Sequence, residues 1–371
     1  MVDVVVVGAG PAGIGVACAL QDAGIDDVVV AERERIGASL RRWPREMRTI
    51  TPSFQANAFG AVDLNAIAPT TSPAFSLDVE HPTGEQWATY LDAAAEHFEL
   101  DVREGVAVDA VHALGDEHGF ALQTTAGRWR ARCLVWAAGE LGNPRLDGFP
   151  GAQLCRPAGT VAAWSDVREQ DIVVIGGFES GIDAAVTLVG RRGRRVTVLD
   201  PQAPWERRHD DPSVTLTPYT RQRLDGALAT GRLELRAVAV VAARRRRGGR
   251  VLLECGDGGE IAGAGAPVLA AGYRPLLGPA GALFERDEDG MPLLGEHDES
   301  TLAPGLFLAG PGVRHDGLIF CFAYKYRGRF PVVATRVAAL LEREPAAELS
   351  AWRAAGMHLD DLSCCGDACA C

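Results

Sequence analysis

Lysine is almost missing from this chain of 371 residues: Lys325 is the only one, and arginine makes up the rest of the 37 basic residues. We read this mainly as compositional bias. Positive charge is itself in deficit, with 49 acidic residues and a net charge of -12. No basic field exists to gather phosphates, which argues against a nucleic-acid partner. Long apolar runs are lacking too. Nothing approaches the ~18 uninterrupted apolar residues of a membrane span. The apolar N-terminus lacks the cationic start of a signal peptide, since Asp3 sits there, and Gly8, Gly10, Gly13 and Gly15 interrupt it. These absences predict a cytoplasmic protein. Its nine cysteines, at 18, 133, 155, 255, 321, 364, 365, 369 and 371, are then expected as core fillers, thiolates or metal ligands rather than disulfides. What remains is an ordinary globular composition, 47% apolar and 23% charged. The length suits two or three domains of roughly 150 residues.

The chain carries a repeat. Residues 2–7 (VDVVVV) form a β-branched run typical of a buried parallel strand, followed at once by Gly8-Ala9-Gly10-Pro11-Ala12-Gly13. A helical stretch comes next, then a second strand, Val28 to Ala31, closing on Glu32. The same layout returns as Ile172 to Ile175, then Gly176-Gly177-Phe178-Glu179-Ser180-Gly181, a helix through Leu188, and Val196 to Leu199 closing on Asp200. First glycine and terminal acid are 24 residues apart in both copies (32 − 8 and 200 − 176), so the copies align without a gap at an offset of 168 (176 − 8). A later echo matches Val135-Trp136-Ala137-Ala138-Gly139 with Val268-Leu269-Ala270-Ala271-Gly272. The pattern predicts two related dinucleotide-binding modules. Between them, Thr83 and Gln86 form a capping-box signature for a helix through Leu100. Residues 101–135 and 232–270 alternate like short antiparallel strands. The four cations Arg244 to Arg247 are read as a solvated hairpin tip rather than an anion site.

A glycine turn between strand and helix permits a tight bend, lets backbone approach a pyrophosphate and allows close helix-to-strand packing. The helix N-terminus then offers free N–H groups and a partial positive charge. Glu32 is placed to accept hydrogen bonds from a ribose diol. The second module is less regular, because Phe178 stands where the middle glycine should be. Two readings follow: a nicotinamide nucleotide site with altered phosphate placement, or a module that has lost its ligand. Asp200 favours NADH, whereas Arg207 and Arg208 could accommodate the 2′-phosphate of NADPH, and the choice stays open.

On these motifs the chain resembles the flavoproteins with two dinucleotide-binding domains. This group includes thioredoxin reductases, bacillithiol-disulfide-reductase-like proteins and flavin-containing monooxygenases. Gly8, Gly10, Gly13 and Glu32 match its FAD fingerprint, with Pro11, Ala12 and Arg33 beside them. LVWAAGELGNP (134–144), with Ala138 and Gly139, and VLAAGYRP (268–275) are similar to its two domain-crossing motifs. Ala303 to Gly310 is similar to the late FAD motif, except that Pro311 replaces the usual aspartate. The resemblance implies an α/β fold of two Rossmann-like, three-layer ββα domains, the NAD(P) domain inserted into the FAD domain. The expected boundaries are 1–150 with 275–345 for FAD, 151–274 for NAD(P), and a flexible cysteine-rich tail over 346–371. It implies FAD and NAD(P)H as cofactors, the second held by Gly176, Gly177, Phe178, Glu179, Ser180 and Asp200. The segment Arg314 to Cys321, with Ile319 and Phe320, is expected to face the flavin, leading into the helix that contains Lys325. The loop from Gly37 to Phe59 offers Trp43, Arg48, Ser53 and Asn57 as lining residues.

The residues that decide the electron acceptor in such proteins are missing. The second module has no Cys-x-x-Cys, and Ala12 stands where bacillithiol-reductase-like proteins carry a cysteine. The monooxygenase pattern between domains lacks its histidine between Phe149-Pro150-Gly151 and Trp164. One chemical feature remains, the tail thiols Cys364, Cys365, Cys369 and Cys371, expected to be exposed and mobile. They suit a redox shuttle that exchanges with a disulfide, or ligation of a soft metal such as Cu(I), Zn(II) or Hg(II). Cys321 is a further redox candidate, while Cys18 and Cys133 are expected in the core. The leading expectation is an FAD-dependent NAD(P)H oxidoreductase passing electrons to a thiol/disulfide or metal-ion acceptor. A monooxygenase acting on a small molecule and a flavin-binding metal sensor or carrier are the alternatives. Expected partners are the acceptor and a second copy in a homodimer, with no nucleic acid and no membrane.

Overall fold

The computed structural model describes residues 1–55, 62–115, 119–191, 193–209 and 211–363. They fall into two compact units: Met1–Arg41, Pro52–Gly142 and the chain from Arg274 onward in one, Arg42–Thr51 and Asn143–Tyr273 in the other. The second is thus inserted into the first. Among the described residues no helix is long and apolar enough to cross a membrane.

The first unit is built on a 7-stranded sheet. Val2–Val7 lies at its centre, parallel to Val28–Glu32 on one side and to Gly127–Trp136 on the other. Val4 to Val7 are buried on both faces, as a parallel strand covered from both sides requires. Strand Gly127–Trp136 does two jobs, and its sequence shows it. The arginine-bearing first half pairs antiparallel with Phe120–Thr124, and the apolar half from Cys133 onward joins the parallel sheet and is fully buried. Leu306–Leu308 then pairs with Leu134–Trp136, bringing the late chain back beside the first module. The helix Gly84–His97 opens with both capping-box bonds, Thr83 N–H to Gln86 Oε1 at 2.9 Å and Gln86 N–H to Thr83 Oγ1 at 3.2 Å.

The expected flexible tail from 346 needs correction. Trp352 is fully buried and donates from Nε1 to Asp22 Oδ2 at 2.7 Å. Met357 is also buried, and Leu359 is held through its N–H to Gly328 O at 2.8 Å and its carbonyl to Arg329 Nη1 at 2.6 Å. Burying an indole stabilises such a segment by about 2–3 kcal/mol, so the chain stays packed at least to Leu359. Cys364, Cys365, Cys369 and Cys371 lie outside the described residues, as does Asn57.

In the second unit a 5-stranded parallel sheet runs Leu233–Arg236, Arg195–Leu199, Asp171–Ile175, Val268–Leu269, Arg156–Pro157. Its strands alternate faces. Ile172, Val174, Val196 and Val198 pack with Ile182, Ala185 and Leu188 of helix Glu179–Val189. Val173, Ile175 and Leu199 pack instead with Val251, Leu253 and Cys255 of a 3-stranded antiparallel sheet. These are the three layers the resemblance implied. The arginine run falls at the hairpin tip of that antiparallel sheet, where Arg244 pairs with Glu254 and Arg246 with Glu260.

Arg42–Thr51 departs from the expected boundary, which assigned it to the first domain. The reason is Glu46. Its carboxylate accepts the N–H groups of Trp164 and Ser165, each at 2.9 Å, and pairs with Arg191 at 3.0 Å. Burial opposes the charge, but those amides and the guanidinium outweigh it and hold the Glu46 carboxyl below its ordinary range. Trp43 and Arg48 therefore belong to the second unit, while Ser53 is buried in the first, where its Oγ accepts from Asn65 Nδ2.

Candidate functional site

The two glycine turns share one backbone. Gly8 and Gly176 have φ of +105° and +101°, in the left-handed region that favours glycine. A Cβ on either would lie 2.6 Å from Ala137 O or 2.3 Å from Ala270 O, so the echo Ala137/Ala270 is a contact as well as a sequence match. A Cβ on Gly13 or Gly181 would lie 1.7 Å from Gly8 O or 1.9 Å from Gly176 O. The terminal acids repeat as well. Glu32 accepts the Ala9 and Glu34 N–H groups, and Asp200 those of Gly177 and Gln202, all four at 2.8 Å. Each carboxylate thus braces its own turn and keeps lone pairs for a ligand hydroxyl.

The turns differ on the ligand face. Nothing stands within 4 Å of the Cβ position of Gly10, which caps helix Pro11–Asp22, so that approach is open. In the second turn Phe178 caps helix Glu179–Val189 with nearly the same dihedrals, −91° and −167° against −83° and −172°. Its ring packs against the helix-side core, and the Trp205 ring lies 2.3 Å from where a Cβ on Gly177 would stand. The helix-start amides are therefore set alike in both, and only the side-chain cover changes. Glu179 is turned away: its carboxyl accepts the Thr217 N–H at 2.6 Å and the Thr220 hydroxyl, capping helix Pro218–Leu228, and burial pushes its pKa up. Ser180 follows it, half-buried, in the helix's first turn. Arg33 is exposed and pairs with Glu34.

Three segments converge beside the first turn. Ala137 N–H donates to Val7 O at 2.9 Å, and Ala309 N–H to Trp136 O at 3.0 Å. Gly310, at φ +107°, has its Cβ position 3.0 Å from the Ala12 methyl. Ala138, Gly139, Gly310 and Pro311 thus stand at the ends of the strands that flank Gly8–Gly13. A dinucleotide's diphosphate fits this cradle: open over Gly10, lined by helix-start amides, closed by the late return.

Beyond Pro311 the chain forms the hairpin Arg314–His315 with Leu318–Ile319. The Arg314 guanidinium donates to Pro311 O at 2.5 Å and Val313 O at 2.6 Å. Burial lowers its pKa, while the charges of Cys321 and Glu140 act in the opposite direction. Glu140 follows Gly139; burial raises its pKa against the pull of Arg314. Phe320 is buried edge-on to His315, and Ile319 is half-buried. His315 Nε2 meets Asp298 Oδ1 at 2.5 Å, and Arg329 grips the same carboxylate through Nε at 3.1 Å to both oxygens. Sequence reasoning missed Glu140, Asp298 and Arg329; only the position of Glu140 directly after Gly139 was a signal.

The cysteines divide clearly. Cys18, Cys133, Cys155 and Cys255 are buried, and burial pushes the thiols up, Cys133 to about 12 and Cys155 to about 11. Cys321 keeps partial exposure. Among the described residues no group of three or more His, Cys, Asp or Glu side chains is arranged to hold a metal ion.

The family model for pyridine nucleotide-disulphide oxidoreductases matches residues 5–310. Bacilliredoxin reductase Bdr of Bacillus subtilis (strain 168) is 25% identical over 310 residues, covering 82% of this chain and 88% of that protein. Two solved structures share the fold. Bacillithiol disulfide reductase Bdr (YpdA) from Staphylococcus aureus gives a TM-score of 0.70 at 21% identity, over 91% of this chain and 98% of that one. A flavin-containing monooxygenase from Stenotrophomonas maltophilia gives 0.68 at 19%, over 92% and 99%. With its duplicated turns, three-layer units and a family match across most of its length, this chain belongs to the pyridine nucleotide-disulphide oxidoreductases.

Proposed function

We propose that the protein is an FAD-dependent NAD(P)H oxidoreductase that delivers electrons to a thiol, disulfide or soft-metal acceptor through Cys321 and the cysteines of 364–371. The open cradle over Gly10 carries the reading. There the first-turn amides of helix Pro11–Asp22 receive the FAD diphosphate, Glu32 offers its free lone pairs to the ribose, and Ala138, Gly139, Gly310 and Pro311 wall the crevice. FAD, when bound, supplies the two-electron redox chemistry, and the protein supplies orientation and electrostatics. Gly176 to Ser180 and Asp200 receive the nicotinamide nucleotide. Arg207 favours NADPH: it bonds Gln202 Oε1 at 2.8 Å, and Gln202, two residues past Asp200, donates its own N–H to that acid at 2.8 Å. The names of the Bdr relatives support a disulfide as acceptor.

Purified protein should be yellow, and anaerobic NAD(P)H should bleach it, NADPH faster than NADH. With Cys364, Cys365, Cys369 and Cys371 all replaced by serine, bleaching should persist while turnover with a disulfide acceptor is lost. Turnover that survives would remove the tail from the reaction. NAD(P)H consumption tied to an oxygenated small-molecule product would favour the monooxygenase reading instead.

A further inference from the structure

The late wall of the cradle and the end of the packed chain meet on one residue. Asp298 is fully buried, with φ at +62°, and it is held from three sides. Its carbonyl accepts the Leu308 N–H at 2.9 Å, which fixes the strand that leads to Gly310 and Pro311. Its Oδ1 takes His315 Nε2 at 2.5 Å, and the hairpin that carries His315 is tied back to Pro311 O by Arg314. Arg329, also buried, donates to the same carboxylate through Nε at 3.1 Å and Nη2 at 2.9 Å. Its guanidinium further reaches the carbonyl of Glu296 and, through Nη1 at 2.6 Å, that of Leu359.

The same C-terminal stretch grips the opposite wall. Trp352 donates at 2.7 Å to Asp22, at the far end of helix Pro11–Asp22, and its ring meets Phe330 edge-on with 6.4 Å between centroids. Phe330 in turn covers Gly15 of that helix, where a Cβ would lie 2.2 Å from its ring. One short segment therefore holds both the helix that starts at Gly10 and the late return.

We propose, on the reading of the cradle as an FAD site, that residues 352–359 form a clasp whose docking is coupled to dinucleotide binding, with Arg329 and Asp298 as the positioning residues that carry the coupling. Docking fixes the helix and the late return together. A bound dinucleotide touches both, so it favours the docked clasp by the same factor by which docking favours the dinucleotide. Arginine suits this place because its planar fork serves a carboxylate and two carbonyls at once, which a single ammonium centre cannot span.

The test is hydrogen exchange of the peptide 352–360, read by mass spectrometry in the full chain stripped of flavin and then reloaded with FAD. Loading should slow exchange of that peptide about tenfold, while helix Pro218–Leu228 of the second unit stays unchanged. Leu359→Pro removes the N–H bonded to Gly328 O and alters no residue of the cradle; its FAD dissociation constant should rise by the same factor. Arg329→Lys should keep a charge beside Asp298 yet lose the FAD-dependent slowing. Equal exchange with and without FAD, slowing shared by helix Pro218–Leu228, or an unchanged dissociation constant in Leu359→Pro overturns the coupling, whether or not Arg329→Lys folds. A chain that takes up no FAD brings down the cradle reading and the clasp with it, so the colour of the protein tells the two failures apart.

Discussion

The first and second glycine turns agree wherever backbone meets backbone and disagree where a ligand would arrive. Positive φ at the first glycine, the close approach at Gly13 and Gly181, and the acid that accepts two amides recur in both. Those contacts leave no room for another residue or another geometry. The face over the helix start carries no such constraint, and there Gly10 gives way to Phe178 and Trp205 closes over Gly177. A duplicated module can thus keep its frame for structural reasons while its ligand face changes, so a departure from the glycine pattern is not in itself loss of a site.

Four substitutions bear on this comparison. Gly13→Ala should have the largest effect, since its methyl would overlap Gly8 O; we expect a loss of about 3 kcal/mol and little flavin on the purified protein, measured by chemical denaturation and absorbance. Gly10→Phe copies the second turn into the first. It should fold normally, because φ −83° suits any residue and nothing stands near its Cβ, yet lose FAD affinity by two orders of magnitude or so, about 2.7 kcal/mol. Unchanged affinity would mean the cradle is not where the diphosphate sits. Phe178→Gly makes the reverse change and should tighten NAD(P)H binding several-fold, at a cost of about 1–2 kcal/mol from the vacated packing; calorimetric titration and a thermal melt separate the two.

The smallest effect belongs to Glu179, which occupies the place of Pro11. Its folded pKa is raised by burial, so the native state holds the proton more tightly than the unfolded chain. Its contribution to stability is full below the ordinary glutamate range and declines as pH rises toward the folded value. Glu179→Gln should flatten that decline above the ordinary glutamate range in hydrogen exchange of helix Glu179–Val189. A slope unchanged from wild type would assign the pH dependence to Asp183, which burial also raises.

Much of this was legible in the sequence, and the reason is range. The turns, their acids, the capping box at Thr83 and the hairpin tip at Arg244 to Arg247 are set by residues close together in the chain. So is the core role of Cys18 and Cys133, which follows from their apolar neighbours. Glu46 could not be read this way, because its partners are amides 118 and 119 residues away. The packed segment before the tail was hidden for the same reason: Trp352 reaches its partner Asp22 across 330 positions. Residue type left two readings of Phe178 open, and that its ring packs on the helix-side core is visible only in the fold.

By itself the sequence determined the two-module plan, because hydrophobic period, glycine spacing and the terminal acid act over a few tens of residues and leave one arrangement of strand, turn and helix. Tertiary structure alone decided which unit claims Arg42–Thr51, that the late chain is still packed at Leu359, and that His315 and Arg329 meet on Asp298. Those outcomes depend on side chains meeting across folded segments, and such meetings follow from the packing of whole elements rather than from any local pattern.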